Sequence, residues 1–399
     1  MKYISTRSQT EKKDFSEIII IGTAEKGGLY WPEKIPHVDE KILNEWKVLS
    51  YQELATEIIS LYAVDIPKDK VKGFCERACK NFKNSIAPLE KYENNLYLLK
   101  LYQGPTLSFK DYAMQFLGQM VDYVLDKKGL KKQIISATSG DTGPAAIYGF
   151  KDSKNVNVKV YFPNKNVSKM QREQMTSIKQ ANIEVIPMEG SFDDCQKLVK
   201  DAFANDKTGN LMGVNSLNMG RIVSQIIYYV WTYLQLEQKS LNFFVPTGNF
   251  GNILAGYLAK EMTGANIKLS ICVNENDTLK RFYDTGNYKP NKTITTFANA
   301  IDISNPSNFE RIIWEFSNNK EDVLKYYTNL KEKGEYNVND DLLKKFRETF
   351  NVYQCDAKDV YKKYEGQCPH TSIALDMALK NRDDLIDVVV STADAIKFE

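Results

Sequence analysis

The chain has 399 residues, enough for two or three packed units of ordinary domain size, and its 43% hydrophobic content is normal for a globular protein. Its 53 basic residues nearly balance its 51 acidic ones, so the net charge of +2 gives no sign of a surface for nucleic acid or for a membrane. Six cysteines without metal or redox spacing, and a polar start without a secretory pattern, lead us to expect a cytoplasmic protein with reduced thiols.

The predicted elements begin with a largely helical unit over residues 1–95, which opens with a short strand and a glycine-rich turn. Beyond it, short apolar runs alternate with helical periodicity, which is typical of an α/β protein whose mostly parallel sheet has helices on both faces. Residues 305–365 are polar, and we predict that they form an outer helical layer. The predicted strands are 95–102, 133–137, 156–162, 183–186, 241–245, 267–273 and 386–390, and the longer helices between them are 109–127, 169–178, 192–203, 220–236 and 253–262.

A lysine opens the first of these helices. Lys110 lies on the same helical face as Met114, Leu117, Val121 and Val124, so the pattern places it on the buried stripe. A desolvated lysine at the positive end of a helix has a lowered pKa, which suits a nucleophilic amine. The alternative is a lysine whose stem is packed and whose ammonium reaches solvent.

Two loops follow predicted strands at the start of a helix. Thr247-Gly-Asn-Phe-Gly-Asn252 has the strand–glycine–helix order that turns backbone N–H groups toward a phosphate, although a plain tight turn would look the same. Thr138-Ser-Gly-Asp-Thr-Gly143 has the same place after another strand, where Asp141 or Thr142 as a simple helix cap is the alternative. A reactive lysine and a phosphate loop together suit pyridoxal 5'-phosphate (PLP), which has an aldehyde and a phosphate.

The histidines offer no catalytic or metal pattern. His37 and His370 are the only two, they lie far apart, and each follows a proline. We interpret both as ordinary surface or capping residues and expect no metal site.

Four segments resemble motifs of the threonine synthase family. The resemblance extends from Met1 to Lys397 and includes Gly27-Gly-Leu-Tyr30 and Ser391-Thr-Ala-x-x-x-Lys-Phe398, where x is any residue. It implies a fold-type II PLP enzyme, similar to the tryptophan synthase β chain, with two parallel-sheet domains and a mainly helical N-terminal unit. We expect a large PLP-binding domain from residues 96–128 and 205–399 and a smaller α/β domain from residues 129–204. The four segments are Gly104-Pro-Thr-Leu-Ser-Phe-Lys-Asp111, Thr138-Ser-Gly-Asp-Thr-Gly143, Asn215-Ser-Leu-Asn-Met-Gly-Arg221 and Pro246-Thr-Gly-Asn-Phe-Gly-Asn252.

The resemblance also implies roles for single residues. Lys110 would carry the cofactor, Asp141 would lie near its ring hydroxyl, and Thr392 would bond its pyridine nitrogen. The cofactor phosphate would be held by Gly248, Asn249, Phe250, Gly251 and Asn252. The substrate would be gripped by Ser108, Thr138, Ser139, Ser168, Gln171, Asn215, Asn218 and Arg221.

The reaction implied is the conversion of O-phospho-L-homoserine and water to L-threonine and phosphate, by γ-elimination followed by β-addition of water, in a monomer or homodimer. Two features depart from the family pattern. Ala393-Asp394-Ala395 stands where Ala-His-Pro or Ala-Ser-Pro is common, which puts a negative charge near the cofactor or the substrate phosphate, and the chain stops at Glu399, where we expect a further helix. The alternatives are a sister PLP reaction, β-replacement or deamination of a small amino acid, and a non-catalytic PLP-binding paralogue.

Overall fold

The computed structural model describes residues 1–8, 12–24, 27–83, 85–138, 140–165, 167–237, 239–361 and 363–398. Strands and helices alternate through most of the chain after residue 88. The helices are α1 (Phe15–Ile21), α2 (Glu40–Trp46), α3 (Tyr51–Tyr62), α4 (Lys68–Cys79), α5 (Asp111–Lys128), α6 (Thr142–Phe150), α7 (Lys169–Thr176), α8 (Phe192–Asn205), α9 (Met219–Gln235), α10 (Gly251–Thr263), α11 (Thr278–Thr285), α12 (Phe309–Ser317), α13 (Lys320–Lys333), α14 (Asp340–Thr349), α15 (Ala357–Tyr361) and α16 (Pro369–Lys380).

The strands form two main sheets. Short 3₁₀ turns lie at Asn299–Ile301 and Ala395–Phe398. The strands are β1 (Tyr3–Ser5), β2 (Tyr30–Pro32), β3 (Leu89–Glu93), β4 (Leu96–Lys100), β5 (Lys132–Ala137), β6 (Val156–Pro163), β7 (Ile183–Met188), β8 (Leu211–Met212), β9 (Leu241–Pro246), β10 (Ile267–Val273), β11 (Asn287–Tyr288), β12 (Tyr336–Asn337), β13 (Phe350–Gln354) and β14 (Ile386–Ser391).

The larger sheet has six strands in the part of the chain that is described, in the order β13-β10-β9-β14-β4-β3. All of its neighbouring pairs are parallel except β3 with β4. β9 lies in the middle and all of its residues are buried, as expected for a strand covered on both faces. The carboxyl ends of β4, β9 and β14 therefore open at one edge, which is where parallel sheets bind ligands.

The smaller sheet, again counted over the described residues, has four parallel strands in the order β7-β6-β5-β8. Helix α5 packs between the units, because most of its buried residues are apolar and Gly118 lets the backbone of α6 approach closely. A Cβ at Gly118 would lie 2.0 Å from the Gly149 carbonyl oxygen. The prediction of two parallel-sheet units with helices on both faces is confirmed.

Strand pairing bears on the domain limits that we proposed from the sequence. β3 precedes residue 95 but pairs with β4 of the larger sheet, and β8 follows residue 205 but pairs with β5 of the smaller one. The proposed limits at 95 and 205 therefore each separate a strand from its partner.

The prediction of an outer layer over residues 305–365 is wrong in part. α12 is buried along most of its length, and β13 is the edge strand of the larger sheet. The charged residues of α12 suggested that this helix is exposed. Instead, Glu310 accepts hydrogen bonds from Arg7 and Thr6, and Arg311 donates hydrogen bonds to three groups inside the protein.

Candidate active site

Loops from both sheets meet at the carboxyl ends of their strands. The loop after β4 leads to Lys110, and the segment after β14 lies beside it in extended form. Phe109 N–H donates to the Thr392 carbonyl at 2.8 Å, and Asp394 N–H donates to the Leu107 carbonyl at 3.1 Å. These backbone bonds place Lys110 and Thr392 at the same edge of the larger sheet.

Lys110 immediately precedes α5, which begins two residues later than predicted, and its side chain is 13% exposed. Its Nζ lies 3.8 Å from Oδ2 of Asp141, which precedes α6. Burial lowers the pKa of Lys110 to about 8; attraction by Asp141 opposes the shift, and the nearby charges of Arg221 and Lys397 add to it. The amine is therefore available as a nucleophile or base near neutral pH.

Asp141 lies between two lysines. Lys397 Nζ is 2.9 Å from its Oδ1, and Gln171 Nε2 donates to the same oxygen at 3.1 Å. Burial alone would raise the pKa of Asp141, but the charges of Lys397 and Lys110 hold it well below its usual range. The carboxylate is thus a fixed negative charge facing the amine.

His370 corrects our sequence interpretation. It is buried against Phe398, and its Nε2 accepts a hydrogen bond from Ala300 N–H at 3.1 Å. Burial lowers its pKa to about 4, so the ring is neutral beside the Lys110–Asp141 pair. Its position is set by contacts from distant segments, which its own neighbours in sequence do not reveal. The surface assignment of His37 is confirmed.

The glycine loop begins helix α10 two residues earlier than predicted. Phe250 has φ +65°, and the helix starts at Gly251. The first N–H groups of a helix have no partner within it, and they suit an anion. Gly248 is tightly packed, because a Cβ there would be 3.0 Å from the Ala300 carbonyl oxygen. Asn252 Oδ1 accepts from the hydroxyls of Tyr228 and Tyr229, while its Nδ2 is buried without a partner among the described residues.

Arg221 lies in the first turn of α9 and is 3% exposed. Its Nη1 donates to the Val214 carbonyl at 3.1 Å, but its Nε has no partner and no acidic side chain pairs with it among the described residues. Burial lowers its pKa to about 10, which still leaves it charged at neutral pH. A buried cation without an anion is unfavourable, so this side chain points to an anionic ligand.

Several predicted substrate residues are already engaged within the protein. Asn218 caps α9 and donates to the Ile19 carbonyl, and Thr138 Oγ1 accepts from the N–H groups of Gly140 and Gly143. Ser168 and Gln171 form the capping box of α7. These residues shape the loops rather than present free polar groups.

Two further predicted residues have side chains that differ in their surroundings. Asn215 is exposed, and its Oδ1 accepts from Leu217 N–H. Ser108 is buried opposite Ala393, and its Oγ has no partner among the described residues. Ser139 lies outside the described residues.

Asp394, the departure from the family pattern, has a structural use. Its Oδ1 accepts from Ile396 N–H at 3.2 Å and its carbonyl accepts from Lys397 N–H, so it caps the 3₁₀ turn that carries Lys397. Sequence reasoning missed Lys397 as a site residue, because only the folded chain brings it to Asp141.

The donor set fits PLP. A lysine with a lowered pKa suits the aldehyde, and a helix N-terminus with the unpaired Asn252 amide suits the phosphate. The buried and unpaired hydroxyl of Ser108 adds a donor beside Lys110. The fold and this site define a fold-type II PLP-dependent enzyme.

Comparison with known proteins specifies the family. Residues 84–328 match the family model described as pyridoxal-phosphate dependent enzyme, and residues 2–79 match the one described as threonine synthase N terminus. The chain belongs to the threonine synthase family, whose members are PLP-dependent lyases.

Individual relatives agree with this assignment. The chain is 36% identical to threonine synthase of Schizosaccharomyces pombe, over 100% of this chain and 88% of the relative. It is 38% identical to that of Pseudomonas aeruginosa, over 100% and 89%. A crystal structure of PLP-bound threonine synthase from Brucella melitensis superposes with a TM-score of 0.95 at 36% identity, over 100% of this chain and 89% of that one.

Proposed function

We propose that this chain converts O-phospho-L-homoserine and water to L-threonine and phosphate, with PLP held at Lys110. The observation that supports the phosphate ester most directly is Arg221, a buried guanidinium without a protein anion. Planar guanidinium groups bind phosphate oxygens in pairs, and loss of water around them strengthens the attraction. The phosphate ester supplies an anionic group, besides the substrate carboxylate, that can pair with this buried charge.

In this proposal PLP, when bound, supplies the electron sink for charge that develops at the substrate α-carbon. Lys110 holds the cofactor and, as a free amine, accepts the α-proton and later returns one. Its lowered pKa keeps both protonation states accessible near neutral pH. The N–H groups at the start of α10, residues 248–252, hold the cofactor phosphate, and Thr392 lies at the end of β14 for the pyridine nitrogen.

Arg221 has the second task of binding the leaving phosphate. Its charge, desolvated at the start of α9, stabilises the negative charge that grows as the γ-carbon–oxygen bond breaks. Ser108 offers its unpaired hydroxyl and Asn215 its exposed amide to the same substrate, whereas Thr138, Ser168, Gln171 and Asn218 contribute by fixing the loops. Asp141 stays anionic and would lie near the ring hydroxyl of the cofactor.

We also propose a cytoplasmic location and a monomer or homodimer. The cysteines, all within the described residues, are free and mostly buried, which suits a reducing compartment. No helix in the described part of the chain is long and apolar enough to cross a membrane.

The test replaces Arg221 by alanine and compares substrates. Removing one partner of a desolvated charge pair costs about 2–5 kcal/mol, which is roughly 30-fold or more in kcat/KM. We expect Arg221→Ala to lose at least that much turnover of O-phosphohomoserine, measured as phosphate and threonine released, while it keeps the visible absorbance of bound PLP. The control is Arg281→Ala, whose partly exposed guanidinium pairs with Asp277, and this variant should keep turnover.

The alternatives predict other outcomes. A sister enzyme that catalyses β-replacement or deamination would act on serine or threonine. In such an enzyme Arg221→Ala would reduce turnover of phosphorylated and unphosphorylated substrates by the same factor. A non-catalytic paralogue would bind PLP and release no phosphate from O-phosphohomoserine. Either result would contradict the proposed reaction.

A further inference from the structure

Lys397 is a fully buried lysine at the site to which no role has been assigned. It lies in the 3₁₀ turn Ala395–Phe398 just after β14, and its side chain is 0% exposed. Its Nζ contacts Asp141 Oδ1 at 2.9 Å and donates to the Thr106 carbonyl. A buried lysine is unfavourable unless its charge is matched, so the Asp141 carboxylate is the group that retains it.

The two oxygens of Asp141 have different neighbours. Oδ1 receives both Lys397 and Gln171, whereas Oδ2 faces Lys110 at 3.8 Å, beyond hydrogen-bond distance. The carboxylate is thus held from one side by Lys397. Without that contact, the neutral amide of Gln171 alone would hold Oδ1, and Asp141 would be freer to turn both oxygens toward Lys110.

We propose that Lys397 is a positioning residue that holds Asp141 through Oδ1, so that Lys110 lies near a negative charge without being locked to it and its amine stays free to take up PLP. This inference rests on the proposed PLP site, but it does not depend on which amino acid is the substrate. Lys397 acts through Asp141 and takes no part in the chemistry itself.

The charged and titratable groups around Lys110 determine whether the loss of Lys397 would raise or lower the pKa of Lys110. Asp141 raises the pKa of Lys110, whereas Arg221 on α9 and Lys397 on the 3₁₀ turn lower it, and His370 on α16 is a neutral neighbour. Asp111, next in the chain, is directed away because its carboxylate accepts from Thr106 N–H and Oγ1, each at 2.8 Å. Removing Lys397 therefore deletes a repelling cation and frees Asp141, and both changes raise the pKa of Lys110.

The experiment measures PLP uptake by the apoenzyme as a function of pH. In the wild type the rate of uptake at Lys110, followed by absorbance and by borohydride reduction with peptide mapping, should rise through a midpoint of about 8. In Lys397→Met the midpoint should move up by about one unit, which is roughly a tenfold slower uptake at pH 7. Lys397→Arg, which keeps the charge, should move it less than Lys397→Met.

The control is Lys169→Met, because Lys169 has a side chain that is 90% exposed. It should leave the pH curve unchanged. Circular dichroism and thermal melting establish that each variant is folded. A folded Lys397→Met with the wild-type midpoint would overturn this inference alone, while a wild-type protein that forms no adduct on Lys110 would overturn it together with the PLP site.

A second measurement needs no variant. Trace acetylation of the wild-type apoenzyme, read by mass spectrometry, should label Lys110 with the same midpoint of about 8 and leave Lys397, whose side chain is 0% exposed, unlabelled. Labelling of Lys397 in parallel with exposed Lys169 would show that Lys397 is not held on Asp141, and the inference would be wrong.

Discussion

At the level of single residues, the site uses charges that the fold keeps away from water at the starts of helices. Lys110 precedes α5, Asp141 precedes α6, and Arg221 lies in the first turn of α9. The positive end of a helix disfavours a protonated amine and attracts anions. Each of these positions therefore favours the state that the chemistry needs: a free amine, a stable carboxylate and a bound phosphate.

The phosphate role of the glycine loop is tested by placing a charge in it. A Cβ at Gly251 would meet only ordinary contacts, the nearest being Ile222 Cδ1 at 3.4 Å, and an aspartate suits a helix start. We expect Gly251→Asp to melt at or above the wild-type temperature and yet to bind PLP at least about tenfold more weakly, because its carboxylate repels the cofactor phosphate. The dissociation constant is measured by absorbance titration of the apoenzyme.

Gly251→Asn, equal in size but uncharged, separates charge from bulk and should bind PLP more tightly than Gly251→Asp. Equal affinities in the two variants would remove the charge argument. Wild-type affinity in both would place the phosphate elsewhere.

The sequence revealed those site residues that stand in local patterns. Lys110 has the periodicity of α5 and Gly251 has a strand before it and a helix after it, so both were predicted from neighbours. Lys397 lies in a segment that resembles the family pattern, but neither its role nor that of His370 was predicted, because their partners Asp141 and Ala300 come from other parts of the chain. Only tertiary contacts distinguish these two from ordinary surface residues.

At the level of elements, α12 joins the loops that build the site. Asn308, just before it, donates through Nδ2 to the carbonyls of Ser216 and Asn249, each at 3.0 Å. Arg311 donates to the Tyr30 and Leu217 carbonyls and to Asn308 Oδ1. One turn of helix thereby connects the N-terminal unit, the segment that leads to Arg221 and the glycine loop.

This connection predicts that Arg311→Met lowers both stability and PLP affinity. The substitution removes three hydrogen bonds from a buried, charged donor, at about 1.5–3 kcal/mol each, so the melting temperature should fall by several degrees. Asn308 also loses its support, so the glycine loop should bind PLP more weakly. Thermal melting and absorbance titration provide the two measurements.

Arg347→Met is the matched control, because Arg347 also donates to two backbone carbonyls, those of Tyr283 and Asp284, but at an exposed position. It should shift the melting temperature by less than one or two degrees. If Arg311→Met behaves like Arg347→Met, α12 does not support the loops.

Element prediction succeeded where a segment is apolar and regular. Buried strands such as β9 and β10 were found within a residue or so, whereas β3 was missed because its side chains are mostly exposed and polar. β13 was missed because its apolar residues, Phe350 and Val352, stand in a charged region. Both strands lie at an edge of the sheet, where only one side pairs with another strand. Fewer of their residues need to be apolar, so their sequences are harder to recognise as strands.

At the level of the whole molecule, the site joins the two sheets. The Asp141–Lys397 ion pair connects the loop after β5 of the smaller sheet to the segment after β14 of the larger one. A ligand bound there contacts both units, and a ligand that binds only the folded state stabilises it according to its concentration and affinity.

PLP should therefore raise the melting temperature of the apoenzyme. At about 100 times the dissociation constant the gain is about 2.7 kcal/mol, which is several degrees in a chain of this size. Differential scanning fluorimetry with and without PLP measures it, and pyridoxal, which lacks the phosphate, should give a smaller shift. Equal shifts with the two compounds would contradict a phosphate-binding loop.

Borohydride reduction followed by peptide mapping determines whether Lys110 carries PLP. We expect visible absorbance in the wild-type holoenzyme, loss of that absorbance on reduction, and a pyridoxyl adduct on the peptide that contains Lys110. Lys110→Ala should show neither the absorbance nor an adduct, although its glycine loop is intact. An adduct on any other lysine, or one that persists in Lys110→Ala, would show that Lys110 does not carry PLP.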